Sequence, residues 1–313
     1  MKNQLVTGID KVTYGVEDMP RCMRFFRDWG LACVDAGDDR ARFETLDGAE
    51  VELRPASDAS LPAAFEPGPT LRRVVWGVED EGRLNEVRDR IASRTAIGHN
   101  DGDPGCTDPN GLRLSFRISR RRKVDAAGSP TNTVDRIHRI NRRGTVYERA
   151  EPVTIGHIVL FTPVLMESVE FYTEVLGFIV SDYYPDSGYF LRCAPEGGHH
   201  NLFLLQTPDR RCGLNHVAFT VRDLHEVFGG GLHIGRCGWQ TRIGPGRHPI
   251  SSAYFWYVDN PAGGLAEYYA DEDHCTAAWK PEAWERAPER FAEWAIDGGI
   301  DGTTRRQARA PDK

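Results

Sequence analysis

Apolar and polar positions along this chain fall into two repeating phrases. The first opens at Ile9-Asp-Lys11-Val-Thr-Tyr14, a run of strand character, and continues into Met19 to Trp29, where apolar residues recur at helical spacing. It returns as Ile155-Gly-His157-Ile, followed by Met166 to Leu176. Each helical stretch carries paired aromatics before a glycine, Phe25-Phe26 before Gly30 and Phe171-Tyr172 before Gly177. A glycine just past the last turn is the expected helix stop. Short alternating strands follow, Ala41 to Leu53 in the first copy and Tyr189 to Leu205 in the later one. In the second phrase, Leu71-Arg-Arg73-Val-Val-Trp-Gly-Val78 answers Leu214-Asn-His216-Val-Ala-Phe-Thr-Val221. Asp108-Pro-Asn-Gly-Leu-Arg-Leu-Ser-Phe116 likewise answers Asp259-Asn-Pro-Ala-Gly-Gly-Leu-Ala-Glu267.

Internal repetition of this kind decides the architecture. It predicts an α+β chain of four strand–helix–three-strand units (βαβββ), near 9–54, 71–117, 155–206 and 214–270. The units pair into an N-terminal domain (1–117) and a C-terminal domain (151–275), joined by a linker over 118–150. Residues 276–313 read as a C-terminal helix and tail, with Trp279, Trp284 and Trp294 packing back onto the domain. Two domains also suit the length, since 313 residues exceed the usual single core.

Composition narrows the partners. With 40% apolar and 27% charged residues the chain reads as soluble and globular. A net charge of −7 argues against nucleic acid as a partner. The basic runs Arg120-Arg-Arg-Lys123 and Arg139 to Arg143 flank the linker and read as solvated or subunit-facing, in a chain expected to form a homo-oligomer. The 7 cysteines include no C-x-x-C pair, which suits reduced thiols. No apolar segment follows Met1-Lys-Asn-Gln and none reaches spanning length, so a cytoplasmic protein with no membrane role is expected.

Three residues carry the candidate chemistry. Ile155-Gly-His157-Ile-Val-Leu-Phe161 and Leu214-Asn-His216-Val-Ala-Phe-Thr220 look like buried strands, each with one imidazole in an apolar surface. Gly263-Gly-Leu-Ala-Glu267-Tyr-Tyr269 sets one carboxylate among apolar neighbours. An unpaired buried carboxylate is costly, and a divalent cation removes that cost. His157 and His216 hold equivalent places in units three and four, so they meet if those units pair about a pseudo-twofold, and Glu267 closes the set. Two His and one carboxylate leave half an octahedron open, which suits non-haem Fe(II) with dioxygen. The competing reading is three unrelated buried polar residues, each bonded to backbone. In the N-terminal copy the counterparts are Lys11 (or Asp10), Arg73 and Ser115, which cannot together bind a divalent metal. One domain is then catalytic and the other a scaffold.

The four-unit arrangement, with Gly246-Arg-His248-Pro-Ile-Ser-Ser-Ala-Tyr-Phe-Trp-Tyr257-Val-Asp-Asn-Pro261 leading to Glu267-Tyr268, resembles the two-domain type I extradiol ring-cleaving dioxygenases of the vicinal oxygen chelate superfamily. His199-His200-Asn201 resembles the double histidine that opens the last strand of unit three. The resemblance implies His157, His216 and Glu267 as ligands of Fe(II), with Mn(II) the alternative ion. It also implies His200 acting on dioxygen, and His248 and Tyr257 hydrogen-bonding the hydroxyls of a substituted catechol. His199 is expected on the opposite strand face, in a structural role. A catecholate monoanion would neutralise the +1 of Fe(II) with one carboxylate. Phe161, Tyr183, Phe203, Phe255 and Trp239 are candidates for the pocket wall. One departure is Ser251, where several family members carry an acidic or amide residue. Two other readings stay open at this point: a glyoxalase-like isomerase, a class that usually supplies four metal ligands, and a non-catalytic aromatic-ligand-binding module.

Overall fold

The computed structural model describes residues 4–100 and 102–298. The first unit runs β1 (Gly8–Val16), α1 (Met19–Asp28), β2 (Ala32–Ala36), β3 (Ala41–Glu44) and β4 (Glu50–Pro55). The second runs β5 (Thr70–Val78), α2 (Glu81–Ala92), β6 (Gly98–Asn100), β7 (Asp103–Thr107) and β8 (Arg113–Ile118). The third holds β9 (Thr154–Phe161), α3 (Leu165–Glu170) continued by a π turn over Phe171–Val175, β10 (Ile179–Tyr184), β11 (Gly188–Arg192), a two-residue β12 (Gly197–Gly198) and β13 (Leu202–Leu205). The fourth holds β14 (Gly213–Thr220), α4 (Leu224–Arg236), β15 (Thr241–Arg247), β16 (Tyr254–Asp259) and β17 (Leu265–Ala270).

Local chemistry starts and stops these elements. Asp18 caps α1 by accepting from Arg21 N–H at 2.9 Å, and Asp80 caps α2 through Arg83 N–H at 2.8 Å. Asp223 accepts from the N–H groups of both His225 and Glu226 at the start of α4. Gly30 (φ 93°) and Gly177 (φ 74°) leave the two helices in the left-handed region, as the pattern required. The third-unit helix widens in its second half, where the Thr173 hydroxyl takes the Val169 carbonyl at 2.8 Å.

Units one and two share one sheet, ordered β2-β3-β4-β1-β5-β8-β7-β6. Units three and four share another, ordered β10-β11-β13-β9-β14-β17-β16-β15-β19, the last being Trp294–Gly298. In both, the first strands of the paired units lie antiparallel at the centre and the last strand of each unit runs parallel beside its own first strand. A single buried apolar cluster reaches from one sheet to the other. Trp29 stacks on Tyr268 at 3.6 Å, and the Tyr268 hydroxyl donates to the Trp29 carbonyl. Stacked aromatics of this kind add about 1 kcal/mol to the area they bury.

The structure departs from two expectations. Past β17 there is no C-terminal helix among the described residues beyond one short turn, α5 (Pro288–Phe291). β18 (His274–Cys275) pairs with β12, and β19 adds to the sheet edge against β15. Pro281 and Pro288 break helical hydrogen bonding within this stretch, and the open edge of β15 offers a ladder instead. The Trp279 indole donates to the Ser181 carbonyl at 2.9 Å rather than joining a helix face. The basic run at the linker is also not merely solvated: Arg121 pairs with buried Asp10 at 3.0 Å, beside Arg117. No described helix is long and apolar enough to cross a membrane.

Candidate metal centre and active site

Strand register sets the site. His157 on β9 lies opposite Ala218 on β14, Ala218 opposite Glu267 on β17, and Glu267 opposite Tyr257 on β16. Residues opposed in register point to one sheet face, and a strand repeats its face every second residue. His216, two residues before Ala218, therefore shares that face. The small Ala218 leaves the row open between the two larger ligand-type side chains. Gly156 is needed next to His157, since a Cβ there would run into the Tyr269 ring and hydroxyl.

The expected triad comes together. His157 Nε2 stands 3.2 Å from His216 Nε2 and 3.2 Å from Glu267 Oε2, and His216 Nε2 lies 3.1 Å from the same oxygen. All three are buried, and together they form the one His/Cys/Asp/Glu group among the described residues able to hold a metal ion. Three mutually adjacent donors at these spacings match one triangular face of an octahedron with bonds of about 2.2 Å. The His216 Nδ1–H donates to Asn215 Oδ1 at 2.8 Å, which turns the Nε2 lone pair toward the triad. His157 is held instead by ring contacts with His200 (4.1 Å) and Tyr269 (4.9 Å). Burial alone would raise the Glu267 carboxyl. Its close contacts with His157, His216 and His248 outweigh burial and hold the group well below its ordinary range. Burial lowers His157 to about 4, so its imidazole is neutral at physiological pH, the form that can bind a metal.

The N-terminal sheet carries the same rows with different chemistry. Lys11 opposes Val75 and Val75 opposes Ser115, so these stand where His157, Ala218 and Glu267 do, with Arg73 in the place of His216. The Lys11 ammonium lies 2.8 Å from Glu52, to which Thr13 donates and Arg40 pairs at 2.7 Å. A lysine and an arginine thus stand at the register positions of the two histidines.

Around the triad lies a cavity of about 390 Å³. His200, His248 and Tyr257 all line it. The Tyr257 hydroxyl donates to His248 Nε2 at 3.0 Å, because His248 Nδ1–H is committed to the Phe291 carbonyl at 2.6 Å. His248 Nε2 also comes within 3.6 Å of Glu267 Oε1. His200 flanks the triad on the His157 side, where burial and then its histidine neighbours hold its imidazolium well below the ordinary range. Phe161 and Phe203 line the wall as expected, whereas Tyr183, Phe255 and Trp239 do not. Tyr183 stacks on Tyr189, Phe255 lies beneath His248, and Trp239 packs against Phe25 in the N-terminal sheet's layer. Ser251 lines the cavity in a left-handed conformation (φ 74°), which serine adopts less readily than asparagine or aspartate. His199, expected to face away, brings its Nδ1 to 3.2 Å from His200 Nδ1.

Several site residues had no clear sequence signal. Phe291 closes the cavity from the C-terminal segment, where the pattern indicated only packing tryptophans. Asn215 was visible only as the residue before His216. Glu272, just past β17, accepts from His199 N–H at 2.9 Å and from the Tyr269 hydroxyl at 3.1 Å. Burial pushes its carboxyl up to about 7. Between the ordinary value of 4.5 and about 7 the folded chain therefore holds a proton that the unfolded chain has lost. The stability contributed by this group is complete below that window and falls as pH rises through it. Glu272→Gln keeps the neutral shape at every pH, so its melting temperature should exceed the parent's by several degrees at pH 8, on the order of 2–3 kcal/mol. The two should converge near pH 5. Equal melting curves at both pH values would show that the buried carboxyl carries no such penalty.

Residues 154–268 match the family model described as Glyoxalase/Bleomycin resistance protein/Dioxygenase superfamily. Metapyrocatechase 2 of Cupriavidus necator is 36% identical over 311 residues, covering 93% of this chain and 90% of that protein. Among solved structures, the Mn(II)-bound glyoxalase from Novosphingobium aromaticivorans superposes with a TM-score of 0.74 at 25% identity, over 97% of this chain and 95% of that one. BphC, a halotolerant catechol dioxygenase, gives 0.71 at 18% identity over 96% and 97%. The 2,2',3-trihydroxybiphenyl 1,2-dioxygenase from Sphingomonas wittichii strain RW1 gives 0.71 at 16% identity over 94% and 100%. These last two likenesses speak for the fold, and the identity to the metapyrocatechase speaks for the branch. The chain belongs to the glyoxalase/bleomycin resistance protein/dioxygenase superfamily, as an extradiol dioxygenase of the two-domain type.

Proposed function

We propose that the enzyme opens a substituted catechol beside its two hydroxyls, inserting both atoms of dioxygen, with Fe(II) held by His157, His216 and Glu267. The observation that carries the metal assignment is the triangle of donor atoms, each edge 3.1–3.2 Å, at a cavity that His200, His248 and Tyr257 also line. Bound there, the ion would supply a Lewis acid for two adjacent ring hydroxyls and an electron path between ring and dioxygen.

The chain's own residues supply the rest. His248, with its proton fixed on Nδ1 by the Phe291 carbonyl, offers an Nε2 lone pair to a substrate hydroxyl or to Tyr257. Burial, and then the negative charge of Glu267, hold the Tyr257 phenol well above its ordinary range, so it stays a donor and can steady a phenolate oxygen. His200, beside His157, is placed to take and return a proton on the oxygen side. Val159, Phe190, Phe203 and Ile250 keep water from the ring.

The likeness to a Mn(II)-bound glyoxalase favours a second reading, an isomerase in the same cavity. Against it stands the counterpart of Glu267 in unit three. Phe203 opposes Val159 as Glu267 opposes Ala218, and it stacks on Phe190 at 4.0 Å. The place of a fourth ligand, a second carboxylate, is thus taken by an apolar ring.

Enzyme purified without air and stripped by chelation should regain activity with ferrous salt and ascorbate. Turnover of a catechol should produce a yellow ring-fission product with one dioxygen consumed per ring. Peroxide should inactivate it, and ferrous salt with ascorbate should reverse the loss. Full activity after exhaustive chelation would exclude a metal role, and turnover without oxygen uptake would favour the isomerase.

A further inference from the structure

Behind His200 runs a buried chain of polar groups that the proposed reaction has not yet used. Asp182, on β10, is 3% exposed and His199 is fully buried. Asp182 Oδ2 lies 3.1 Å from His199 Nε2, while its Oδ1 accepts from Glu282 N–H at 2.7 Å. His199 Nδ1 lies 3.2 Å from His200 Nδ1. Phe190 and Trp279 pack against the His199 ring at 5.4 and 5.8 Å, and Glu272 holds its backbone N–H.

The donors follow in order. A carboxylate can only accept, so His199 carries its hydrogen on Nε2, and the neutral ring then has a lone pair on Nδ1. Of the two facing Nδ1 atoms one must donate, and it is His200. The hydrogen of His200 is thereby placed on Nδ1, which leaves a lone pair on Nε2, the other nitrogen of a side chain that lines the cavity. We infer that Asp182 and His199 are positioning residues that present His200 to the substrate as a proton acceptor rather than a donor. The first proton it receives then comes from a catechol hydroxyl, and that same proton is returned later to an oxygen atom that gains negative charge. No proton is created or lost at the enzyme over the cycle. The inference rests on the oxygen-side role assigned to His200.

Two substitutions at one position separate this role from simple packing. In His199→Asn the side-chain oxygen falls near the place of Nδ1 and can still accept from His200, although the bond to Asp182 is lost. In His199→Gln the terminal amide falls near Nε2 and keeps the Asp182 bond, but the contact to His200 is lost. The expected result is kcat within about threefold of the parent for His199→Asn and about 10- to 100-fold lower for His199→Gln. Iron content and anaerobic catechol affinity should be unchanged in both. Equal kcat in the two iron-loaded variants overturns the inference, as does a loss confined to KM or to iron content. Asp182→Asn provides an independent arm. Its carbonyl keeps the Glu282 N–H, so its NH₂ faces His199 Nε2 and reverses every donor in the chain. A 10- to 100-fold fall in kcat with iron retained is expected there, and parental kcat would overturn the inference even if both His199 variants failed to fold. A His200→Phe variant that turns over at the parental rate would instead remove the role on which the inference rests.

Discussion

Glu267→Ala is expected to empty the metal site and bring turnover below detection while the protein stays folded. Glu267 supplies the one anionic donor of the triad. Without it two neutral imidazoles remain, and the ion loses both a bond and the charge that offsets its own. The fold should survive because β17 is held on both sides, by β14 and β16, through backbone bonds that the substitution leaves alone. Truncation also removes a buried carboxylate that depends on its partners, so its loss is less costly to stability than the loss of an apolar core side chain of that size. Elemental analysis of the parent should give one iron per chain, and of the variant nearly none, with matching circular dichroism. Two irons per parental chain would overturn the assignment, because Lys11 and Arg73 would then have to share the N-terminal cleft with a cation. Retained iron in the variant would place the metal elsewhere.

His200→Phe should leave iron and catechol binding nearly intact and lower turnover by about 10²–10⁴-fold, the usual contribution of a positioned acid–base group. Phenylalanine keeps the ring volume packed against His157 and Phe190, and it removes both nitrogens. The lost interaction matters mainly as charge develops on dioxygen, so the effect belongs in kcat rather than in substrate affinity. His248→Phe should differ by weakening the substrate complex as well, since His248 Nε2 stands beside Tyr257 and Glu267 where a ring hydroxyl would bind. Anaerobic catechol titration together with oxygen uptake on the two variants reads out both quantities. Parental turnover in fully loaded His200→Phe would remove the proposed role.

Much of the architecture could be read from one dimension because it is written in local chemistry. The four-unit repeat rests on strand alternation, helical spacing and stop glycines such as Gly30 and Gly177. Each of these acts within a few residues of itself. The candidate triad was legible for a related reason. An imidazole or a carboxylate inside an apolar strand is conspicuous wherever the strand goes, and the repeat aligned two of the three.

Tertiary structure alone decided what depends on two distant segments meeting. Tyr257 shares a row with Glu267 because β16 pairs with β17 in one register, and a shift of one residue would turn it to the other face. The hydrogen on His248 is assigned by the Phe291 carbonyl, 43 residues away, and no pattern around either residue signals it. The C-terminal segment read as a helix because its tryptophans are apolar, yet the unpaired edge of β15 drew Trp294–Gly298 into the sheet. His199 looked merely structural because a strand normally sends neighbours to opposite faces. That rule applies to regular strand, and β13 begins only at Leu202, so the chain at His199 and His200 is free to bring both rings together with Asp182 behind them. Residue types and their periodicity are local properties, whereas tautomers, rows and cavity walls belong to pairs of segments, and only the folded chain brings those pairs into contact.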